Sequence, residues 1–133
     1  MDIEGIFLRW FLDYANPTET ELCNWMEDPE AVEVMEDSDL IVGSSRNLHA
    51  LVRLASNNGP QREYIVHCLY VATAEAFNWC RDTIGEAINL VPEDTHEDVL
   101  EWRSNAEYLL TNPKTYREYE WLGYCFNKNK RRQ

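Results

Sequence analysis

The chain has 133 residues, 44% hydrophobic and 12% aromatic, and its 24 acidic against 12 basic side chains leave a net charge of −12. That length matches one ordinary domain, and the apolar share suffices for one core. So acidic a surface disfavours direct binding of nucleic acid or anionic lipid, which need Lys and Arg against phosphate; no apolar run approaches the roughly 18 residues that span a bilayer, and no basic n-region of a signal peptide follows Met1.

Residues 3–15 place Ile3, Ile6, Phe7, Trp10, Phe11 and Tyr14 three and four apart, the stripe of an amphipathic helix. Asn16-Pro17-Thr18-Glu19 reads as the next helix start, with Asn16 as cap, Pro17 at the first position and Glu19 reaching back. Leu22, Trp25 and Met26 then share one side until Asp28-Pro29. Residues 29–45 fit a short helix or extended chain equally well.

Gly43-Ser44-Ser45 opens a helix expected over 45–57, with Leu48, Leu51, Val52, Leu54 and Ala55 inward and Arg46 and Arg53 outward. Asn57-Asn58-Gly59-Pro60 ends it, Gly59 by accepting a positive φ. The helix over about 61–82 is apolar almost all round, so it is expected at the centre with other helices about it. Residues 83–91 add a short piece through Ile84, Ile88 and Leu90, stopped by Pro92. Thr95-His96-Glu97-Asp98 starts a helix to about Leu110, its acids suiting the positive end of the helix dipole, with Val99, Trp102, Ala106, Leu109 and Leu110 inward. Asn112-Pro113 starts the last helix, carrying Tyr116, Tyr119, Trp121, Leu122 and Phe126. The expectation is an all-α, single-domain, orthogonal or irregular bundle of about six to seven helices over residues 1–127, with an acidic segment at 16–40 and a frayed basic tail at 128–133.

Chemical constellations are sparse. Cys23, Cys68, Cys80 and Cys125 show no zinc spacing, and a continuous helix would put Cys68 and Cys80 about 18 Å apart, so reduced thiols in a cytoplasmic protein are expected. Glu63 and His67 share a helix face as two metal ligands would, but no second such pair exists, and His67 is better read as a solvated or core-edge residue. Glu75, among alanines and Phe77, either faces a solvent-open groove or pairs with Arg81 or Arg53. With five glycines there is no phosphate-binding loop, and no cofactor or metal is expected. All five tryptophans lie on apolar stripes and read as core, Trp25 being the one that could instead anchor a partner because acids surround it.

The charge itself is the clearest pattern. Residues 1–40 hold twelve acids and one base, residues 41–92 are balanced, and the tail from Trp121 holds four bases and no acid. A one-sign field costs stability through self-repulsion and speeds encounter with the opposite sign. The expected function is a non-catalytic binding protein, such as an inhibitor or immunity protein, whose acids imitate phosphates and neutralise a basic nucleic-acid-handling or toxin partner. Its contacts would be Glu19, Glu21, Trp25, Glu27, Asp28, Glu30, Glu33, Glu36, Asp37 and Asp39. A helical interaction or regulatory module within a larger assembly is the alternative, and a small metal-dependent enzyme using Glu63, His67 and Glu75 is a third.

Overall fold

A computed structural model describes residues 18–27, 43–118 and 120–123 of the chain. Over these residues the protein is all-α. The helices are α1 (Glu19–Glu27), α2 (Leu48–Ala55), α3 (Arg62–Trp79), α4 (Arg81–Ile88) and α5 (Glu97–Thr111), with single 3-10 turns at Ser45–Asn47 and Pro113–Thr115. Helical backbone returns at Glu118 and over 120–123. The stripe expected over residues 3–15 and the ambiguous stretch before Gly43 lie outside the described residues, as do Tyr119 and Phe126.

Apolar spacing placed most of the core correctly. Leu22, Trp25 and Met26 of α1, all five predicted α2 positions, and Val99, Trp102, Ala106 and Leu109 of α5 are buried in one cluster that runs from Leu22 to Trp121. As expected for a helix without a polar face, α3 is central: it packs against α2, α4, α5 and the first 3-10 turn. Its one fully buried polar side chain, Thr73, is satisfied twice. The hydroxyl donates to the Leu69 carbonyl at 2.7 Å and accepts the Trp102 indole N–H at 3.0 Å. Buried Tyr70 plays a similar part on α3, its hydroxyl accepting from Asn105 Nδ2 and its carbonyl from Trp121 Nε1.

Four boundaries differ from expectation for identifiable reasons. Helix α1 is capped by Thr18, not Asn16: the Thr18 hydroxyl accepts from the Glu21 amide at 3.1 Å while Glu21 Oε1 accepts from the Thr18 amide at 2.9 Å, a reciprocal capping box. Gly59 does not have positive φ. It is small because α1 ends against it: a Cβ there would lie 3.2 Å from both Met26 Cγ and the Met26 carbonyl oxygen, and that same carbonyl accepts the Gln61 amide.

The long helix expected over 61–82 is two helices divided at Cys80. At the end of α3 the Ala76 carbonyl accepts the Cys80 amide and the Phe77 carbonyl, freed by the break, accepts Arg81 Nε at 2.8 Å, while Asn78 Nδ2 adds a bond to the Ala74 carbonyl. After Pro113 one 3-10 turn comes first, and extended Tyr116 separates it from the final helical residues.

Candidate functional site

Of the ten residues expected to meet a partner, Glu19, Glu21, Trp25 and Glu27 are described, and Asp28, Glu30, Glu33, Glu36, Asp37 and Asp39 lie outside the described residues. The four do mostly internal work. Glu19 is gripped bidentately by Arg53, whose Nε donates to Oε2 at 2.8 Å and whose Nη2 donates to Oε1, tying α1 to α2. These hydrogen bonds hold the Glu19 carboxyl below the ordinary range and push the Arg53 guanidinium up. Glu21 is committed to the capping box. Glu27 is exposed and accepts from the Cys23 thiol at 3.6 Å; burial first, then the Glu27 charge, pushes that thiol up.

Trp25 is turned into the core. It is 3% exposed and its ring lies 5.4 Å from that of Tyr64, because the face it shares with Leu22 and Met26 is the one turned to the core. Among the described tryptophans it is Trp79 that faces solvent, 83% exposed, although the apolar character of α3 assigns it to the core. Trp79 is the last residue of α3, which breaks at Cys80.

Glu75, one turn before Trp79, and Cys80, the residue after it, line an open cleft of about 440 Å³ between the start of α2 and the junction of α3 with α4, together with Ser45, Arg46, His49 and Thr83 among others. Glu75 is exposed, as the groove reading required, but it bonds neither Arg81 nor Arg53. Its Oε1 accepts from both the Ser45 amide, at 3.0 Å, and the Ser45 hydroxyl, at 2.6 Å, and so fixes the 3-10 turn to α3. On the opposite wall His49 Nε2 lies 3.5 Å from Glu86 Oε1. Arg81 is turned back on Phe77, its guanidinium carbon 3.9 Å from the ring centroid.

The chemistry on offer is that of polar recognition. No hydrogen bond among the described residues joins His49 to Ser45 or Cys80, and no three of the described His, Cys, Asp and Glu residues are grouped to hold a metal ion. Glu63 is exposed and His67 half-buried with its ring 6.1 Å from that of Tyr64; Glu75 is engaged elsewhere, so the three are not one site. Cys23, Cys68 and Cys80 are free thiols.

A buried charge pair was missed. Asp98, read as an acid at the dipole end of a helix, is 7% exposed and takes both arms of Arg62: Nη1 to Oδ1 at 2.9 Å and Nη2 to Oδ2. Arg62 Nη1 also donates to the Ala55 carbonyl, so one guanidinium joins the end of α2, the start of α3 and the start of α5. The available signal was Arg62 at the edge of the apolar α3 stretch, a base with no acid of its own helix on its face. No helix among the described residues is long and apolar enough to cross a membrane.

The chain matches no known protein family, no characterised protein and no solved structure.

Proposed function

We propose that this is a non-catalytic acidic binding protein that docks onto a basic protein surface of the sort evolved to hold phosphates, and neutralises it as an inhibitor or immunity protein does. The observation that carries this is how the charges are used. Of the described carboxylates only Asp98 is buried, and twelve others, from Glu19 to Glu120, are exposed. Five of the arginines are engaged within the molecule, Arg53 and Arg62 on carboxylates, Arg81 and Arg117 on backbone carbonyls, and Arg103 on Glu107, although Arg53, Arg81 and Arg117, like Arg46, remain exposed. What the partner meets is a surface on which hydrated carboxylates outnumber exposed arginines, twelve to four among the described residues.

Stability does not account for that field. Glu27 sits in the last turn of α1, where the helix dipole favours a cation, and no base is there to offset it. Glu27 leads into Asp28, Glu30, Glu33, Glu36, Asp37 and Asp39, the densest acids of the sequence. Docking through such a field is fast at low salt and weakens as salt rises. The test is a pull-down of binding proteins along a salt gradient, comparing wild type with the quadruple variant Glu30→Lys, Glu33→Lys, Glu36→Lys, Asp37→Lys. Retention of a basic protein by the wild type, with earlier elution from the variant, is expected; equal retention by both removes the acidic segment as the contact.

One observation favours a second reading, a helical module within a larger assembly. Trp79, Tyr108 and Leu90 are large apolar side chains left 83, 59 and 38% exposed. Such a module would self-associate or join its assembly regardless of salt, which sedimentation at 50 and 500 mM salt distinguishes.

A further inference from the structure

The exposure of Trp79 decides little alone, since single apolar side chains on a surface are common. Its surroundings decide more. Glu75 lies four residues before Trp79 on α3, so the two share a helix face, and both are exposed. Glu75 is also held in place: Oε1 accepts two bonds from Ser45, and Oε2 accepts none among the described residues. The carboxylate is thus oriented without being used up.

The nearby exposed charges are three acids, Glu75, Asp82 and Glu86, against two bases, Arg46 and Arg81. Asp82 and Glu86 on α4 are exposed, and Glu86 flanks the cleft through its approach to His49. Arg81, the base nearest to Trp79 in sequence, is drawn back over Phe77. Arg46 is the one arginine among the lining residues, against Glu75 within the cleft and Glu86 at its edge.

We infer that exposed Trp79 and Glu75, one turn apart on α3 where Glu75 lines the cleft between α2 and the α3–α4 junction, are the anchor for an arginine of the basic partner. The guanidinium stacks on the indole face and donates to Glu75 Oε2. A planar, weakly hydrated cation suits a tryptophan face beside a fixed carboxylate better than a compact ammonium does. This inference rests on the acidic-binding reading and places its central contact away from the acid-rich segment in which Trp25 is buried.

The probe is an N-acetylated, C-amidated tetra-arginine peptide, titrated at 150 mM salt, where charges beyond about 8 Å are largely screened. The readouts are affinity and the indole N–H resonances, with that of Trp79 assigned from Trp79→Phe. Expected are movement of the Trp79 resonance, at least tenfold weaker binding in Trp79→Ala, severalfold weaker binding in Glu75→Gln, and a weaker complex with tetra-lysine. Glu75→Gln keeps an amide oxygen for Ser45, and Trp79→Ala removes an exposed side chain, so both variants should fold. Salt-sensitive binding that Trp79→Ala leaves unchanged overturns the anchor while leaving the acidic-surface reading standing. Absence of binding by the wild type, at low salt as well, overturns both.

Discussion

The two ends of α3 handle charge in opposite ways. At the N-terminal end Arg62 is drawn into the fold and closed off by Asp98 and the Ala55 carbonyl; at the C-terminal end Glu75 is fixed by Ser45 yet left in water beside an exposed indole. A desolvated pair is bound to its partner because either charge alone would be costly, so it holds helices together and has nothing to offer outside. A hydrated, oriented carboxylate stabilises little and keeps its capacity for recognition. The same helix serves as a structural axis at one end and a presentation surface at the other.

The largest expected effect breaks the first end. Asp98→Ala leaves the Arg62 guanidinium buried without its counter-charge and should cost about 3–5 kcal/mol, with Asp98→Asn costing less because one acceptor remains. Glu75→Ala, which exposes a turn amide and hydroxyl to water, should cost about 1 kcal/mol or less. Urea unfolding of both variants measures the contrast, and equal losses would abolish it. The tryptophans sharpen the same point. Thr73→Val keeps volume but leaves the buried Trp102 indole N–H without its acceptor, for a loss of about 1–3 kcal/mol, whereas Trp79→Ala should stay within about 0.5 kcal/mol of wild type.

How far these roles could be read from sequence depends on the range of the interaction involved. Helical period is local, and it located Leu22, the α2 face, the Val99 to Leu109 stripe and the central place of α3. The Arg62–Asp98 pair joins residues 36 apart, and the Ser45–Glu75 bonds join residues 30 apart, and no local pattern contains either. Trp79 and Trp25 were exchanged for one reason. Neighbouring acids offered Trp25, though on an apolar stripe, as a partner anchor, and the apolar character of α3 assigned Trp79 to the core, but burial follows from what packs against a helix face. Gly59 failed similarly: turn chemistry suggested a positive φ, and the cause is the approach of Met26.

Tyr116, packed near the C-terminal end of α3, offers a smaller test. Its ring lies 4.3 Å from that of Phe77, while its buried hydroxyl has no hydrogen-bond partner among the described residues. Burial, and then the Glu118 charge, pushes its pKa up to about 12 from the ordinary 10. A raised value means that the folded state favours the neutral phenol. The contribution is complete below pH 10 and is lost as pH rises towards about 12. Tyr116→Phe should therefore be neutral or stabilising by up to about 1 kcal/mol at pH 7, and should lose less stability in alkali. Thermal melts at neutral pH and through the alkaline range, with phenolate absorbance marking Tyr116 as a late-titrating tyrosine, check both parts.

The smallest expected effect is at Glu19, a carboxylate that has a partner and is still wet, with side-chain exposures of 42% for Glu19 and 46% for Arg53. Exposure at both ends limits even a bidentate pair to about 0.2–1 kcal/mol, so Glu19→Gln should cost about 0.5 kcal/mol at pH 7. The carboxyl is held below its ordinary 4.5, so this contribution is present above that value and lost as pH falls through the lowered one. Urea midpoints of wild type and Glu19→Gln should differ at pH 7 and converge in acid. A difference that persists once both are uncharged would mean that Glu19 holds α1 to α2 by packing, and would place it with Asp98 as a structural residue. In either case Glu19 is a poor position for probing the partner, because its loss loosens α1 against α2; charge reversal at Glu75, Asp82 or Glu86 alters the exposed field without cutting an arginine tie between helices.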